Sequence, residues 1–353
     1  MKTLTTILSL AATLTLSLGC DAEPEIDFGE GDDIAFRGPL GMKLNTSFLG
    51  DFEWNELDLN GKFHEHAQLT KVCIEPSDGK NPDIKKYGSK MGSLDDVCFL
   101  PGVDPIWVKQ GEIMAEKYGK VYSGYDFERS SWYISLDYDQ DGTLDSNIVP
   151  RIESIGQQVS PQGSFYWAYY WTYMTKDVTG LATKFIEQQD APVPICEMDV
   201  GTGALEALSN EDLHVDMKSG DFSTRPDTLF VACVSGAVGK VQDKWGYLHH
   251  ELGYKRHETI TRVARADYCA DGTSFTEPGM KLQVEDAWGY NVLVDPFKET
   301  EAHWIVGGGA ACLQAPRHPA VSFEKVFAYC GIPQCEGDKP LGVYGDEILT
   351  KNW

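Results

Sequence analysis

The sequence predicts an α+β fold that is rich in β-strands, has a few short helices and is braced by disulfides. Apolar and polar residues alternate in many short runs separated by turn residues, which is typical of strands. Helical spacing occurs only in short stretches of the second half. The chain has nine cysteines, and the first stands at the end of a predicted export signal. Once it is set aside, an even number of eight remains to form disulfides.

Residues 1–20 are the predicted signal peptide. Lys2 supplies a positive charge, and residues 4–18 form an apolar stretch that is too short to span a bilayer. The segment that ends at Cys20 resembles a bacterial lipobox, in which the cysteine thiol receives lipid and becomes the mature N-terminus. The lipobox usually has an aliphatic residue three places before the cysteine, where this chain has Ser17. Ordinary signal cleavage therefore remains an alternative.

The number of cysteines favours lipidation of Cys20. The other eight can all pair, whereas an unmodified Cys20 would leave an exposed thiol at the mature N-terminus. Two or more acyl chains anchor stably, because each buried methylene contributes about 0.8 kcal/mol. We therefore expect the lipidated N-terminus to hold the protein on a membrane of the cell envelope, in the periplasm or at the cell surface.

Residues 21–33 are acidic and poor in apolar side chains, so we expect a flexible tether between the anchor and the globular part. The whole chain carries a net charge of −24. Such a surface repels nucleic acid and anionic lipid and favours cations. We therefore expect no nucleic-acid partner.

Residues 34–191 form a predicted β-rich N-terminal region, which ends near the polar, proline-bearing segment 188–194. Cys73 and Cys98 are the only cysteines of this region, so the simplest pairing joins them, although the sequence leaves other pairings open. The aromatic run 165–173 predicts a strand that is buried on both faces; the alternative is a strand with an exposed face on which sugar rings stack.

The strand predicted at 132–136 leads into a loop that resembles a calcium-binding loop. Gly142 permits its sharp curve at the sixth position. Carboxylates occupy the first, third, fifth and ninth positions: Asp137, Asp139, Asp141 and Asp145.

Two departures distinguish this loop from an EF-hand. The twelfth position is Ile148 instead of a bidentate glutamate, and no amphipathic helix precedes the loop. We therefore expect a structural calcium site on a strand-loop unit, completed by a carbonyl group or by Glu153. A solvated acidic turn is the alternative. The motif His64-Glu65-His66 could place two imidazoles on one face of a strand, but without further ligands we interpret it as a surface feature.

Residues 192–353 form the predicted second domain. Its pattern indicates a strand at 227–233, helices at 236–245 and 256–268, and a hairpin at 304–313. Cys330 and Cys335 flank a short turn with glycine and proline, and we expect them to form a disulfide. No catalytic or cofactor-binding residue is predicted, because an exported cysteine such as Cys233 is more often bridged than nucleophilic.

Three groups of residues in the second half resemble the ADYC-domain family of exported bacterial proteins, which are often lipoproteins. The first lies in strand 230–233 and helix 236–247. The second is the central motif 262–269, which contains Ala-Asp-Tyr-Cys. The third is the hairpin at 301–312. The resemblance covers about residues 190–320 and implies where the domain lies without assigning an activity.

The resemblance also implies how the remaining cysteines pair, and we expect the bridges Cys196–Cys233 and Cys269–Cys312. The family usually has a further cysteine on each of the two helices, where this chain has Val241 and Ile260. The joint loss of these two cysteines fits the removal of one disulfide between the helices, with aliphatic packing in its place. We therefore expect the two helices to touch near Val241 and Ile260.

The Asp267 side chain follows a predicted helix end, where it can accept backbone N–H bonds from the next turn. We expect Arg265 to pair with Asp267, and we interpret both as structural and not catalytic.

Together these observations predict an extracytoplasmic, lipid-anchored protein that is structural or ligand-binding and is stabilised by calcium. Its protein or carbohydrate ligand is not identified by the sequence. The alternative function is a hydrolase that acts on an envelope or extracellular polymer with a pair of carboxylates in a cleft beside exposed aromatic side chains.

Overall fold

The computed structural model describes residues 41–74, 97–293 and 298–352. The predicted signal peptide (1–20), the predicted tether (21–33) and Cys20 lie outside the described residues. The described part of the chain is an α+β, β-rich structure with short helices and four disulfides, as the sequence predicts.

The strands of the first half are short and mostly consecutive neighbours. They are β1 (Phe48–Leu49), β2 (Phe52–Glu53), β3 (Glu56–Asp58), β4 (Ala67–Ile74), β5 (Val97–Phe99), β6 (Ile106–Lys109), β7 (Glu112–Lys117), β8 (Lys120–Ser123), β9 (Ser131–Leu136), β10 (Ser146–Ile148), β11 (Pro150–Val159), β12 (Phe165–Tyr173) and β13 (Thr179–Gly180).

The remaining elements alternate strands with helices. The strands are β14 (Val193–Pro194), β15 (Ala207–Val215), β16 (Phe222–Cys233), β17 (Leu282–Asp286), β18 (Thr300–Trp304), β19 (Ala310–Leu313) and β20 (Ile348–Asn352). The α-helices are α1 (Ala237–Trp245), α2 (His249–Leu252), α3 (Tyr254–Arg265) and α4 (Phe323–Cys330). Short 3-10 helices span Gly124–Phe127, Thr175–Asp177 and Leu181–Lys184.

One large antiparallel sheet organises the fold. Its order is β13-β10-β9-β11-β12-β15-β16-β3, with β4 and β5 joined through β9 and β14 joined to β12. A second sheet has the order β17-β20-β18-β19, a third has β6-β7-β8, and β1 pairs with β2. The helices α1 and α3 follow β16 and contact it.

The expected boundary between residues 34–191 and 192–353 does not separate two units. Strand β12 pairs with β14 and β15 of the second region, and β16 pairs back with β3 of the first. The described residues 41–74, 97–293 and 298–352 therefore fall within a single compact unit. The sequence-based division failed because a polar, proline-bearing connection also occurs between neighbouring strands of one sheet.

The aromatic strand β12 lies in the core, as the sequence predicts. Trp171 and Tyr169 are fully buried. The indole of Trp171 packs edge-on against Trp132 of β9 and against Trp54, with ring centroids 5.2 and 5.8 Å apart. Such edge-to-face pairs add to the free energy gained by burial of the rings. The exposed end of the strand is Phe165.

Two disulfides follow the expected pairing. Cys73 and Cys98 are direct partners in the register of β4 and β5, and their S–S bond closes that strand pair. Cys196 is bonded to Cys233 at the end of β16. Because Cys233 is bridged, its thiol is not available as a nucleophile.

The other two disulfides correct the expected pairs Cys269–Cys312 and Cys330–Cys335. The structure joins Cys269 to Cys330 and Cys312 to Cys335. Helix α4 ends at Gly331, whose φ of 72° turns the chain away from the helix axis. The chain then forms a parallel bridge between Gln334 and Leu313, which brings Cys335 beside Cys312. Cys330 stays on α4, within reach of the turn that contains Cys269.

Helices α1 and α3 contact each other, and Val241 and Ile260 are fully buried members of one core cluster. The two helices therefore touch, as expected, and both aliphatic side chains belong to the core cluster on which the helices pack. Their burial contributes to holding α3 over the sheet.

Candidate metal centre

The acidic loop connects two antiparallel neighbours, β9 and β10. Ser146 pairs with Leu136, and the backbone N–H of Asp145 donates to Leu136 O at 2.9 Å. The first and ninth positions of the loop are consequently held at the same edge of the sheet. A strand therefore precedes the loop, and Ile148 is a buried core residue of β10, so the loop is not an EF-hand.

Three of the four predicted ligands come together. One carboxylate oxygen from each of Asp137, Asp139 and Asp145 lies within 4.8 Å of the other two. Asp141 is outside this group, and its Oδ1 accepts a hydrogen bond from Thr143 N at 2.8 Å. Glu153 is also outside the group; it lies on β11 and accepts a hydrogen bond from Thr172.

The curve of the loop is set by Gly142, which has a φ of 92°. L-residues other than glycine rarely adopt this conformation. Its backbone N–H donates to Asp137 Oδ2 at 3.0 Å, so the turn fixes the first carboxylate of the group. The Asp145 carboxylate is held by Ser146, whose hydroxyl donates to Oδ1 at 2.7 Å.

The Asp137 side chain is fully buried, which is unusual for a carboxylate. Its Oδ2 is 2.8 Å from His66 Nδ1, whereas its Oδ1 is buried and has no hydrogen-bond partner among the described residues. Burial alone would raise the pKa of Asp137. The hydrogen bonds from His66, Gly142 and Asp141 outweigh burial, so the pKa is lowered and the carboxylate stays charged at neutral pH.

The Asp139 carboxyl has a raised pKa, because of partial desolvation and repulsion from Asp141 and Asp145. Gathering several carboxylates without a cation is unfavourable for this reason. The loop therefore groups three carboxylates on a sharply curved backbone, and such a group could hold a metal ion.

The two histidines of the motif His64-Glu65-His66 do not share one strand face. Glu65 and His66 have positive φ values of 45° and 60°, which turn the chain between β3 and β4. His66 bonds to Asp137, and His64 Nε2 bonds to Glu56 Oε2 at 2.7 Å. Glu56 also contacts His214, so Glu56, His64 and His214 form a cluster. The sequence analysis missed this cluster because His214 lies 158 positions from Glu56.

The central motif after α3 is a structural ion-pair cluster. Asp267 accepts backbone N–H bonds from Asp271 and Gly272 at 3.2 and 3.0 Å, as expected for a turn. Its charged partner is Arg262, at 3.0 Å, rather than the expected Arg265. Arg265 donates instead to the carbonyl groups of Met42 and Gly272.

Tyr268 and Glu301 connect the motif to the four-stranded sheet. Tyr268 donates from its hydroxyl to Glu301 Oε1 at 2.6 Å, and Arg317 pairs with the same oxygen at 2.6 Å. All three side chains are buried. The motif thus joins α3 to β18 through buried polar contacts.

A pocket beside the large sheet is lined by residues from the β6–β7 turn, β12, β15 and the segment 248–250. Its single carboxylate is Glu211, and its aromatic side chains are Tyr166 and Trp167. It does not contain the pair of carboxylates that the alternative hydrolase requires. None of the helices in the described part of the chain is both long enough and apolar enough to span a membrane.

The family model for the ADYC domain matches residues 124–319. The match begins well before the expected start near residue 190 and includes β9 to β14, in agreement with the continuous sheet. No match was found among curated proteins or among solved structures. Since the family model covers more than half of the chain, the chain belongs to the ADYC-domain family.

Proposed function

We propose that this chain is an extracytoplasmic, lipid-anchored protein of the cell envelope, with a structural or ligand-binding role, and that calcium stabilises its large sheet. The observation that carries the calcium assignment is the buried Oδ1 of Asp137, which has no hydrogen-bond partner among the described residues and lies beside the carboxylates of Asp139 and Asp145. A buried carboxylate oxygen without a donor costs free energy unless a cation neutralises it.

Calcium suits this loop better than a softer metal. The three grouped side chains offer carboxylate oxygens, which hard cations prefer. Calcium also takes backbone carbonyl groups and water as ligands, so the three carboxylates need not supply its whole coordination shell. Because the loop joins the ends of β9 and β10, bound calcium would hold these strand ends together in the sheet.

Export and anchoring are supported by the cysteines. The structure pairs eight of them in four disulfides, and disulfides persist in oxidising compartments. Cys20 is the ninth, and it lies at the end of the apolar signal segment. Lipidation would use its thiol and place the acidic tether next to the membrane.

Calorimetric titration of calcium into the full chain tests the calcium assignment. We expect heat of binding with one site per chain for the parent protein and loss of that heat for Asp139→Ala. Asp141→Ala is the matched control, since Asp141 lies in the same loop but outside the group. Absence of binding heat in the parent protein, or equal binding by Asp139→Ala, would remove calcium from the proposal.

The anchor is tested separately by the mass of the N-terminal peptide from cell envelopes. We expect a diacylated or triacylated cysteine at position 20, and release of Cys20→Ser into the soluble exported fraction. A mature N-terminus without lipid would leave an exported protein that lacks the anchor.

A further inference from the structure

Three distant parts of the chain converge on a second polar cluster. Glu56 begins β3, His64 lies in the turn before β4, and His214 lies on β15. One side-chain ligand atom from each lies within 4.8 Å of the other two. The three residues come together because β3 pairs with β16, which pairs with β15 in the large sheet.

The carboxylate of Glu56 is at the centre of this cluster and is 1% exposed. Its Oε2 is 2.7 Å from His64 Nε2 and 3.0 Å from His214 Nδ1. Its Oε1 accepts a hydrogen bond from Val215 N at 2.8 Å, which fixes the carboxylate plane. Both imidazoles therefore direct a ring nitrogen at one buried carboxylate.

The cluster has the ligand types of an open zinc site. Two imidazole nitrogens and one carboxylate oxygen hold zinc in many sites that keep a fourth position for water. The ring centroids of His64 and His214 are 5.6 Å apart, so one ion with metal–nitrogen bonds of about 2 Å could reach a nitrogen of each after a small shift. The side chain of His214 is 29% exposed, which gives solvent access to the cluster.

The charges around the cluster favour a cation. Asp58 is buried two residues after Glu56, and Glu65 adjoins His64. The nearby cation is Arg225, whose Nη2 is 3.7 Å from Asp58 Oδ2. A divalent ion bound here would neutralise the charge of the buried Glu56 carboxylate.

We propose that Glu56, His64 and His214 bind a divalent transition-metal ion of the zinc class. This site is separate from the calcium loop, because the two groups share no residue, and imidazole nitrogens favour zinc and similar metals whereas the three grouped carboxylates favour calcium. Because its ligands lie on β3, on β15 and in the turn before β4, a bound metal would hold β3 and this turn to β15 at the end of the large sheet.

Zinc titration of the full chain with intact disulfides tests the proposal. We expect the parent protein to bind one zinc ion with nitrogen ligands, and cobalt substituted for zinc to give visible absorption typical of a low-coordinate site. His214→Ala should lower zinc affinity at least about 100-fold. Even the loss of a residue that only hydrogen-bonds to a metal ligand lowers metal affinity by about 10- to 100-fold.

His250→Ala is the matched control, because His250 is partly exposed and lies outside the cluster. If His214→Ala fails to fold, His214→Asn replaces it, since His214 lies at the partly exposed rim of the cluster. Failure of the parent protein to bind zinc would overturn the proposal and leave a hydrogen-bonded cluster. Unchanged zinc affinity in folded His214→Ala would overturn it as well, because zinc would then bind elsewhere.

Discussion

Arg262 Nη1 lies 3.0 Å from Asp267 Oδ2, and this ion pair fastens the end of α3 to the turn that follows it. Both side chains are buried, and Arg262 also contacts Glu258 at 2.9 Å. Burial raises the pKa of Asp267, and the charges of Arg262 and Arg265 oppose that rise. The arginine thus compensates a carboxylate that the turn itself requires.

Removing this carboxylate should strongly destabilise the protein. We expect Asp267→Ala to lower the free energy of unfolding by about 3–5 kcal/mol, because Arg262 would remain buried with one partner fewer. Denaturant unfolding measures the change. Asp271→Ala is the control, since Asp271 is exposed in the same turn, and it should cost much less. If both variants lost the same free energy of unfolding, the buried ion pair would contribute no more to stability than the exposed Asp271 carboxylate.

The corrected disulfides give a direct chemical prediction. Peptide mapping without reductant should find Cys269 linked to Cys330 and Cys312 linked to Cys335. The double variant Cys269→Ser/Cys330→Ser should retain the second link, because each bridge joins its own pair of elements. Recovery of a Cys269–Cys312 peptide would contradict the described arrangement of α4 and β19.

A new disulfide should form between α1 and α3. The two helices contact each other, and Val241 and Ile260 lie in the same core cluster. We expect Val241→Cys/Ile260→Cys to oxidise to a bridge that closes a loop of about 20 residues and adds about 3 kcal/mol by chain entropy, less the cost of the lost aliphatic packing. Free thiols in the folded double variant would show that the helices are not adjacent there. Each single variant controls for the loss of packing.

Two buried histidines should make the protein less stable in mild acid. His249 Nδ1 is 3.1 Å from His257 Nδ1, and His257 Nε2 donates to Val238 O at 3.1 Å. Burial lowers the pKa of His249 to about 4, aided by repulsion from His250, and it lowers the pKa of His257 well below its usual value.

The direction of this pH effect follows from the number of protons that the folded and unfolded chains bind. Between about pH 6.5 and pH 4 the unfolded chain binds more protons than the folded chain, so stability falls as the pH falls. From pH 7 to pH 5 we expect His249 alone to remove about 2 kcal/mol, measured by denaturant unfolding at each pH. His249→Gln should flatten this dependence, whereas His318→Gln, outside the pair, should not. An unchanged pH profile for folded His249→Gln would refute the assignment.

Local patterns predicted much of the fold and part of the candidate metal centre. The alternation at Trp132 and Ile134 fixes β9, and the spacing of Asp137, Asp139 and Asp145 predicts the group that the loop brings together. These features depend on residues close in sequence, so the period of side chains and the curve at Gly142 suffice to predict them.

Long-range pairing could not be predicted in this way. Nothing near Cys330 signals that the chain after Gly331 returns to β19, so the shorter link to Cys335 is the natural expectation. Similarly, Glu56 and His214 meet only because β3, β16 and β15 are neighbours. The boundary near residue 191 was wrong for the same reason, since strand order is set by the packed sheet.

The central claim is that calcium in the loop between β9 and β10 stabilises the fold, and thermal unfolding with and without calcium tests it most directly. At free calcium about 100 times its Kd, we expect the free energy of unfolding of the parent protein to rise by about 2.7 kcal/mol. Asp139→Asn should lose this gain and Asp141→Asn should keep most of it. An unfolding temperature of the parent protein that does not respond to calcium would contradict the account.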